Sequence, residues 1–283
     1  MQTSDSTLGI IAGLGALPVE VAQSAVERDQ PVFVVRLKGF EEPALAQFPG
    51  ATIGMAEVGK LFKALKQAGC EDICFCGIVK RPDFSALKPD MRGLSLLPKV
   101  ISVARKGDDA LLSFLVQTFE AEGFRVIGAD EASGALRVGA GAQSGEEFVG
   151  PHMDDMKKAA MIAAEIGRLD IGQGAVVCDG LVLSVEAQEG TDEMLRRIPL
   201  LDPAIRGTDT QRRGVLVKRP KPMQERRIDL PTIGVATVEN AAKAGLAGIG
   251  VEAGGALLIN QAEVITHLKS HGMFLYGFEK DWP

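Results

Sequence analysis

Short apolar runs alternate with amphipathic segments along residues 8–130. The strand-length runs are LGIIAG (8–13), PVFVVRL (31–37), EDICFCGIV (71–79) and FRVIGA (124–129). Segments between them, such as VGKLFKALKQAG (58–69), carry apolar residues at helical spacing. Buried strands separated by helices are typical of a parallel sheet covered on both faces. The pattern therefore predicts a Rossmann-like N-terminal domain over residues 1–132.

The second half repeats this alternation after a change in composition. Residues 133–150 are rich in glycine and weakly patterned, which predicts a linker. Beyond it we predict a helix over 154–170, two strands turning at Asp179–Gly180, a strand at GVLVK (214–218) and further helices near 238–248 and 262–272. The fold class is thus α/β, with a separate α/β C-terminal domain over 151–283.

Composition narrows the functional classes. Hydrophobic residues make up 46% of the chain, yet no apolar stretch is long enough to span a membrane and no secretory signal begins it, so we expect a cytoplasmic protein. A net charge of −6 and few aromatic residues argue against a nucleic-acid partner. The four cysteines lack ligand spacing and are expected to be buried thiols.

A glycine turn follows the first strand, where a dinucleotide-binding turn would lie. Gly13 and Gly15 are in place, but Pro18 occupies the third glycine position, and the second strand ends without the acidic residue that binds ribose. Two interpretations stay open. The turn binds an anion through its N–H groups at a helix N-terminus, or it is a turn that packs well.

A proline-rich charged segment, KRPKPMQERRIDLPTIG (218–234), follows the strand GVLVK. Charged loops at the carboxyl ends of strands are where open α/β sheets bind ligands. Lysine and arginine side chains there are candidates for phosphate contacts: Lys218, Lys221, Arg226 and Arg227. Asp229 lies between apolar neighbours, which predicts a buried acceptor, a metal ligand or a base. A solvated loop is the alternative. A second basic loop, KRPDFSALKPD (80–90), follows a strand of the N-terminal domain, and it is either part of a ligand site or a surface turn.

A carboxylate cluster occurs in SVEAQEGTDEMLRR (184–197). Glu186, Glu189 and Asp192 are oxygen ligands of the kind that Mg²⁺ prefers. Helix capping by Thr191 or Asp192 is the structural alternative.

Two histidines, His267 and His271, lie four residues apart on a predicted helix, but no third ligand is near in sequence, so a solvated helix face is favoured over zinc.

Taken together, the motifs resemble one known family. They are LGIIAGLGALP (8–18), KRPDFSALKPD (80–90), KGDDALL (106–112), LDIGQGAVVCDGLVLSVEAQEGTDEMLRR (169–197), LVKRPKPMQERRIDLPTIG (216–234) and TVENAAKAGLAGIGVEAGGALLI (237–259). In this order they resemble the UDP-2,3-diacylglucosamine pyrophosphatases of the LpxI type. The resemblance covers nearly the whole chain.

The resemblance implies a cytoplasmic enzyme of lipid A biosynthesis. It would hydrolyse UDP-2,3-diacylglucosamine to UMP and 2,3-diacylglucosamine 1-phosphate (lipid X) with Mg²⁺, as a homodimer. Its acylated UDP-sugar substrate implies transient contact with the inner-membrane surface. The apolar–aromatic C-terminal tail is one candidate for that contact, and a packed C-terminus is the alternative.

We assign site residues on this basis. Asp229, Glu225 and Lys218 are the predicted catalytic residues, and Asp229 is the better candidate for the essential acid because Glu225 stands where the family is expected to have Asp. The predicted metal ligands are Asp229, Glu225, Glu186, Glu189 and Asp192. The predicted substrate-binding residues are Gly13, Gly15, Lys80, Arg81, Thr191, Lys221, Gln224 and Arg226.

Two other functions stay open from the residues alone. A non-catalytic protein that binds a sugar nucleotide or lipid precursor would use the same basic loops. A nucleotide-dependent oxidoreductase would use Gly13 and Gly15, although the missing acidic residue argues against it.

Overall fold

The computed structural model describes residues 6–80 and 83–282, which form two compact units. The first unit contains the chain up to Ala135 together with Glu225–Asp229. The second contains Leu136–Gln224 and the chain from Leu230 onward. No helix within the described ranges is long and apolar enough to cross a membrane.

The first unit has five strands and five helices among its described residues. In chain order they are β1 (Thr7–Ala12), α1 (Ala16–Glu27), β2 (Val32–Leu37), β3 (Gly50–Ile53), α2 (Val58–Gln67), β4 (Cys70–Cys76), α3 (Met91–Ala104), α4 (Asp108–Ala121), β5 (Arg125–Ile127) and α5 (Ala129–Ser133). A short 3₁₀ helix, Pro43–Gln47, lies between β2 and β3.

The sheet of this unit has the strand order β3-β2-β1-β4-β5, and every pairing is parallel. The prediction of a Rossmann-like domain is therefore confirmed. The order reverses between β1 and β4, where the turns that follow the two strands are joined by the backbone bridge Leu14–Ile78. Packing of α2 and α4 on one face centres on Phe62 and Phe119, whose rings meet edge to face at 5.0 Å.

Residues Glu225–Asp229, from the charged segment, pack on this first unit. Ile228 contacts the core formed by α2 and α4. Arg227 donates from Nη1 to Glu120 Oε1 of α4 at 2.6 Å. This part of the segment is anchored by an apolar contact and an ion pair, so it is not a solvated connector.

The second unit contains the remaining elements. They are β6 (Gly141–Ser144), α6 (Met153–Arg168), β7 (Gly174–Cys178), β8 (Leu181–Val185), α7 (Gly190–Arg197), β9 (Val215–Lys218), β10 (Thr232–Ile233), α8 (Val235–Lys243), β11 (Gly248–Glu252), β12 (Leu257–Leu258), α9 (Gln261–Ser270) and β13 (Phe274–Phe278). Short 3₁₀ turns occur at Glu146–Phe148, Gly150–His152, Ile198–Leu200 and Pro203–Ile205.

Six of these strands form one sheet in the order β6-β13-β11-β9-β7-β8. One face packs on α6, and the other packs on α7, α8 and α9. The predicted turn between β7 and β8 is confirmed, with Asp179 and Gly180 both at positive φ (47° and 76°). The Asp155 carboxylate of α6 accepts both backbone N–H groups of this turn, at 2.8 and 2.7 Å.

The C-terminal tail is packed. Phe274 and Phe278 of β13 are buried, and Trp282 stacks on Phe278 with 5.1 Å between ring centroids. These aromatic side chains fill the core beside α6, so they are not exposed for membrane contact.

The structure divides the chain differently from the predicted linker. Leu136 onward belongs to the second unit, and residues within 133–150 form β6, which pairs antiparallel with β13. The glycines there allow close backbone packing. A Cβ added to Gly277 would lie 1.8 Å from the Gly139 carbonyl oxygen. The glycine-rich composition of residues 133–150 predicted a linker, but part of this segment forms an edge strand. Such a strand pairs through its backbone, so it needs no pattern of large side chains.

Gly277→Ala is expected to destabilise the second unit by about 1–3 kcal/mol, because the new methyl group must displace backbone atoms. Urea unfolding followed by fluorescence of Trp282, the one tryptophan of the chain, measures this unit. Gly150→Ala is the matched control, since a Cβ there meets nothing within 4 Å. Equal unfolding midpoints for the two variants would contradict the argument.

Candidate functional site

Charged side chains are buried at one edge of the six-stranded sheet. Strands β8, β9 and β11 end at this edge because they run in the same direction, with β7 antiparallel to β8 and β9. Glu186 follows β8, Lys218 ends β9 and Glu252 ends β11, with exposures of 7%, 6% and 2%. Burying charges costs free energy unless partners compensate for the lost water. The partners therefore indicate what each group does.

Glu186 has one carboxylate oxygen without a protein partner. Its Oε1 accepts a hydrogen bond from Thr191 Oγ1 at 3.1 Å, whereas Oε2 is buried and accepts none. A Cβ on Gly174 would lie only 2.5 Å from Oε2, so the carboxylate occupies the space above this glycine. An orphaned carboxylate oxygen of this kind suits a bound cation or a ligand hydrogen-bond donor.

Lys218 lies on the same face of the sheet as Glu186. Gly174 pairs with Lys218 on one side and accepts the Glu186 N–H on the other, and directly paired residues point to the same face. The two Cα atoms are thus two strand spacings apart, roughly 10 Å. Both side chains are long enough to approach one ligand bound next to the Glu186 carboxylate.

The Lys218 ammonium group contacts the chain just before α8. Lys218 Nζ donates to the Thr232 carbonyl oxygen at 3.4 Å, two residues before Gly234 at the N-cap of α8. This helix starts without a side-chain cap, and a Cβ on Gly234 would meet nothing within 4 Å. An open helix N-terminus beside a lysine favours an anion such as phosphate.

The other two carboxylates of the acidic cluster have protein partners. Glu189 Oε1 accepts from Arg197 Nη2 at 2.6 Å, and Asp192 Oδ1 accepts from Asn240 Nδ2 at 2.9 Å. Neither Thr191 nor Asp192 caps α7, which starts at Gly190. The capping alternative is wrong because both side chains bond to groups outside the helix backbone.

In the second unit, the charged segment begins with a set of internal contacts. Lys221 Nζ pairs with Asp170 Oδ1 at 2.7 Å, and its backbone N–H donates to Gln224 Oε1 at 2.8 Å. Gln224 is buried. Before them, Arg219 donates to buried Glu252 at 3.1 Å and to the carbonyl oxygens of Lys280 and Trp282. These contacts fix the segment as it leaves β9.

In the first unit, Glu225 forms a two-point ion pair with Arg227. Nε and Nη2 of Arg227 donate to the two carboxylate oxygens, each at 2.9 Å. These hydrogen bonds lower the pKa of Glu225 below its ordinary value of 4.5. Asp229 is half-buried, and its backbone N–H donates to the Glu225 carbonyl oxygen at 3.1 Å. Arg226 is half-buried as well.

The glycine turn of the first unit gives its N–H groups to protein acceptors. Gly13 donates to the Cys76 carbonyl oxygen at 2.9 Å, and Gly15 donates to Glu42 Oε2 at 3.0 Å. A ligand anion would therefore have to displace the Glu42 carboxylate to reach Gly15. The oxidoreductase alternative, which needs this turn for a pyrophosphate, gains no support. Lys80 is exposed, and Arg81 lies outside the described residues.

The five predicted metal ligands are divided between the two units. Glu225 and Asp229 belong to the first unit, whereas Glu186, Glu189 and Asp192 belong to the second. Within the described ranges, the one group of three ligand atoms within 4.8 Å of one another is formed by Glu239, His267 and His271. Among the described residues predicted as ligands, Glu186 is the one with a buried carboxylate oxygen that accepts no hydrogen bond.

Sequence reasoning missed three contributors to this arrangement. Gly174 leaves room for the Glu186 carboxylate, the N-terminus of α8 lies beside Lys218, and Asp170 pairs with Lys221. The residue pattern around Gly174 gives no sign of this role, because a small residue in a strand has many structural explanations.

The Glu225 ion pair makes the stability of the first unit depend on pH. Because the pKa of Glu225 is lowered in the folded state, its contribution is present above pH 4.5 and is lost as the pH falls through the folded-state pKa. We expect Glu225→Gln to cost about 1 kcal/mol at pH 7, a value reduced by solvent screening at the exposed Arg227. The cost should shrink near pH 3.

Urea unfolding followed by far-UV circular dichroism at both pH values measures this difference. Glu71→Gln, at an exposed position of the same unit, is the control and should change stability little at either pH. A cost for Glu225→Gln that stays constant from pH 7 to pH 3 would refute the assigned role of the pair.

Comparison with known proteins agrees with the two-unit architecture. Residues 7–136 match the model of the LpxI N-terminal domain, and residues 139–276 match that of the LpxI C-terminal domain. The chain is 54% identical over 272 residues to a protein of Caulobacter vibrioides named UDP-2,3-diacylglucosamine pyrophosphatase LpxI, covering 96% of this chain and 97% of the relative. On the match of both domains and this identity, the chain belongs to the LpxI family.

Proposed function

We propose that this protein hydrolyses the pyrophosphate bond of UDP-2,3-diacylglucosamine, an acylated UDP-sugar, in lipid A biosynthesis. The products are UMP and 2,3-diacylglucosamine 1-phosphate. Family membership over nearly the whole chain supports the reaction. The observation that carries the assignment to particular residues is the buried, unpartnered Glu186 Oε2 on the same sheet face as Lys218.

The diphosphate of the substrate would bind where positive charge and open space coincide. The Lys218 ammonium group and the uncapped N-terminus of α8 supply the positive charge, and Gly234 leaves space in front of the helix. Since Lys218 is buried, its attraction to a phosphate oxygen is weakened less by water than that of an exposed lysine would be. This supports a role for Lys218 in neutralising charge on the leaving phosphate.

Of the carboxylates in the second unit, Glu186 is the one best placed to bind a magnesium ion. Mg²⁺ usually takes one or two protein carboxylates and completes its shell with waters and substrate phosphates. Glu186 Oε2 would be the ligand from the second unit, while Glu189 and Asp192, already paired with Arg197 and Asn240, are weaker candidates. A bound Mg²⁺ would neutralise phosphate charge and lower the pKa of an attacking water.

The residues around Glu186 would hold its carboxylate in one orientation. Thr191 Oγ1 donates to Oε1 and so leaves Oε2 for the ligand. Gly174 gives the carboxylate its space, and any larger residue would force it away. Asp229 remains the proposed essential acid, together with Glu225 on the same segment. Lys221, Gln224 and Arg226 remain proposed substrate contacts.

Glu186→Gln tests the central assignment. The amide keeps the size but loses the negative charge, so we expect kcat to fall by about 100-fold or more with Mg²⁺ present. Glu189→Gln is the matched control, because Glu189 lies three residues away and already pairs with Arg197; it should stay within about threefold of wild type. UMP release from UDP-2,3-diacylglucosamine, with and without EDTA, is the measurement.

Other outcomes of this assay are also informative. Asp229→Ala should leave a folded protein that binds substrate and scarcely turns it over, and wild-type turnover would refute that role. Substrate binding without UMP release by the wild-type protein would favour a non-catalytic binding protein. Wild-type activity of Glu186→Gln would remove the carboxylate from the mechanism.

We further propose a cytoplasmic location with transient contact to the inner-membrane surface through α3. This helix exposes Met91 and Leu94, at 85% and 57%. Its charged residues are basic, and no acidic residue occurs between Met91 and Lys106. A basic helix with exposed apolar side chains suits an anionic lipid surface. Assembly as a homodimer remains a prediction from the resemblance.

Replacing Met91 and Leu94 together by aspartate should weaken sedimentation with vesicles of anionic phospholipid, because apolar contact is lost and repulsion is added. Leu200→Asp is the control, since Leu200 is also 85% exposed but lies in the second unit. Equal vesicle binding by wild type and the double variant would exclude α3 as the contact.

A further inference from the structure

Two histidines of α9 meet a glutamate of α8. His267 lies in the last turn of α9 and His271 at its C-cap, four residues on, so both rings project from one side of the helix. Glu239 Oε1 lies 2.6 Å from His267 Nδ1 and 3.1 Å from His271 Nε2. The third ligand that was missing in the sequence thus comes from a neighbouring helix.

The spacing of these atoms suits a small metal ion. The three ligand atoms all lie within 4.8 Å of one another. On a tetrahedral zinc ion with bonds of about 2.0–2.1 Å, two ligand atoms are roughly 3.3 Å apart. Glu239 Oε1 and His271 Nε2 already lie close to that separation. Small rotations of the three side chains would admit the ion without moving the backbone.

The helices that carry these residues are held rigidly. Val238, Ala241 and Ala242 of α8 and Val264 and Leu268 of α9 are buried in one hydrophobic core. The three ligand side chains are each about one-third exposed, at 30–32%, so an ion can reach them from solvent. A fixed backbone with accessible donors is what a preorganised metal site requires.

The donor chemistry selects against magnesium. Two imidazole nitrogens and one carboxylate are ligands for zinc and similar transition-metal ions, whereas Mg²⁺ prefers oxygen ligands. Three protein ligands leave a fourth position for water. This cluster therefore differs in its metal preference from the oxygen donors around Glu186.

We propose that Glu239, His267 and His271 form a binding site for a divalent transition-metal ion, with zinc the best fit, that ties α8 to α9. The site would act on the position of α8. Asn240, the residue after Glu239, donates to Asp192 of α7 at 2.9 Å, and the N-terminus of α8 lies beside Lys218. A metal ion at the C-terminal end of α9 thus stabilises the helix that borders the proposed phosphate site.

Metal titration of the full-length protein tests the proposal. The protein is stripped with EDTA, dialysed, and titrated with Zn²⁺ by calorimetry and with Co²⁺ by visible absorption. We expect one saturable zinc site with a dissociation constant below about 10 μM, and cobalt bands typical of tetrahedral nitrogen and oxygen ligation. Magnesium at millimolar concentration should not displace the zinc.

Three variants and a control locate the site. His267→Gln, His271→Gln and Glu239→Gln should each weaken zinc binding by at least about tenfold, because each removes one ligand. His152→Gln is the control, since His152 is the third and last histidine of the chain and lies outside the cluster. Zinc should raise the thermal unfolding midpoint of the wild type and the control but not of the three variants.

Several results would overturn the proposal. One is the absence of a saturable zinc site with a dissociation constant below about 10 μM. The others are zinc binding by the three variants as tight as that of the wild type, and a loss of zinc binding in His152→Gln equal to that in the three variants. Circular dichroism of each variant shows whether that variant is folded. If one histidine variant fails to fold, the other two variants still give the answer, because each removes a different ligand.

Discussion

The main constraint on the proposed site is the burial of charged side chains at one edge of the six-stranded sheet, where strands β8, β9 and β11 end. Glu186, Lys218 and Glu252 are all at least nine-tenths buried there. Glu252 is compensated by Arg219, and one oxygen of Glu186 by Thr191. The other oxygen of Glu186 has no protein partner. Burying a carboxylate oxygen without a hydrogen bond costs free energy, and this cost is the physical basis of the ligand site proposed at this edge.

Glycine makes this arrangement possible. Gly174 removes a side chain between β8 and β9, and the Glu186 carboxylate fills the space. Gly234 leaves open space before α8, next to the residues that contact Lys218. At Gly277, the missing side chain lets β13 approach the backbone of Gly139. The high glycine content of the chain is thus used for close approach of backbones and of charged groups, as well as for turns.

The ion pairs around the charged segment explain its composition. Arg227 is held by Glu225 and Glu120, Lys221 by Asp170, and Arg219 by Glu252. Several charges that looked available for phosphate in the sequence are therefore partnered within the protein. These partnered charges position the segment, and the buried Lys218 ammonium group donates to the Thr232 carbonyl oxygen just before α8.

The sequence by itself determined the parallel sheet of the first unit, the β7–β8 turn and most helices, because periodicity and turn chemistry are local properties. The family resemblance also came from contiguous motifs. The tertiary structure alone decided that Leu136 and the residues after it belong to the second folded unit, that Glu189 and Asp192 pair with Arg197 and Asn240, and that Oε2 of Glu186 is buried without a hydrogen bond. It also brought Glu239 to His267 and His271, 28 and 32 residues away. These outcomes depend on which strands and helices become neighbours, and contacts between residues distant in sequence leave no local pattern to read.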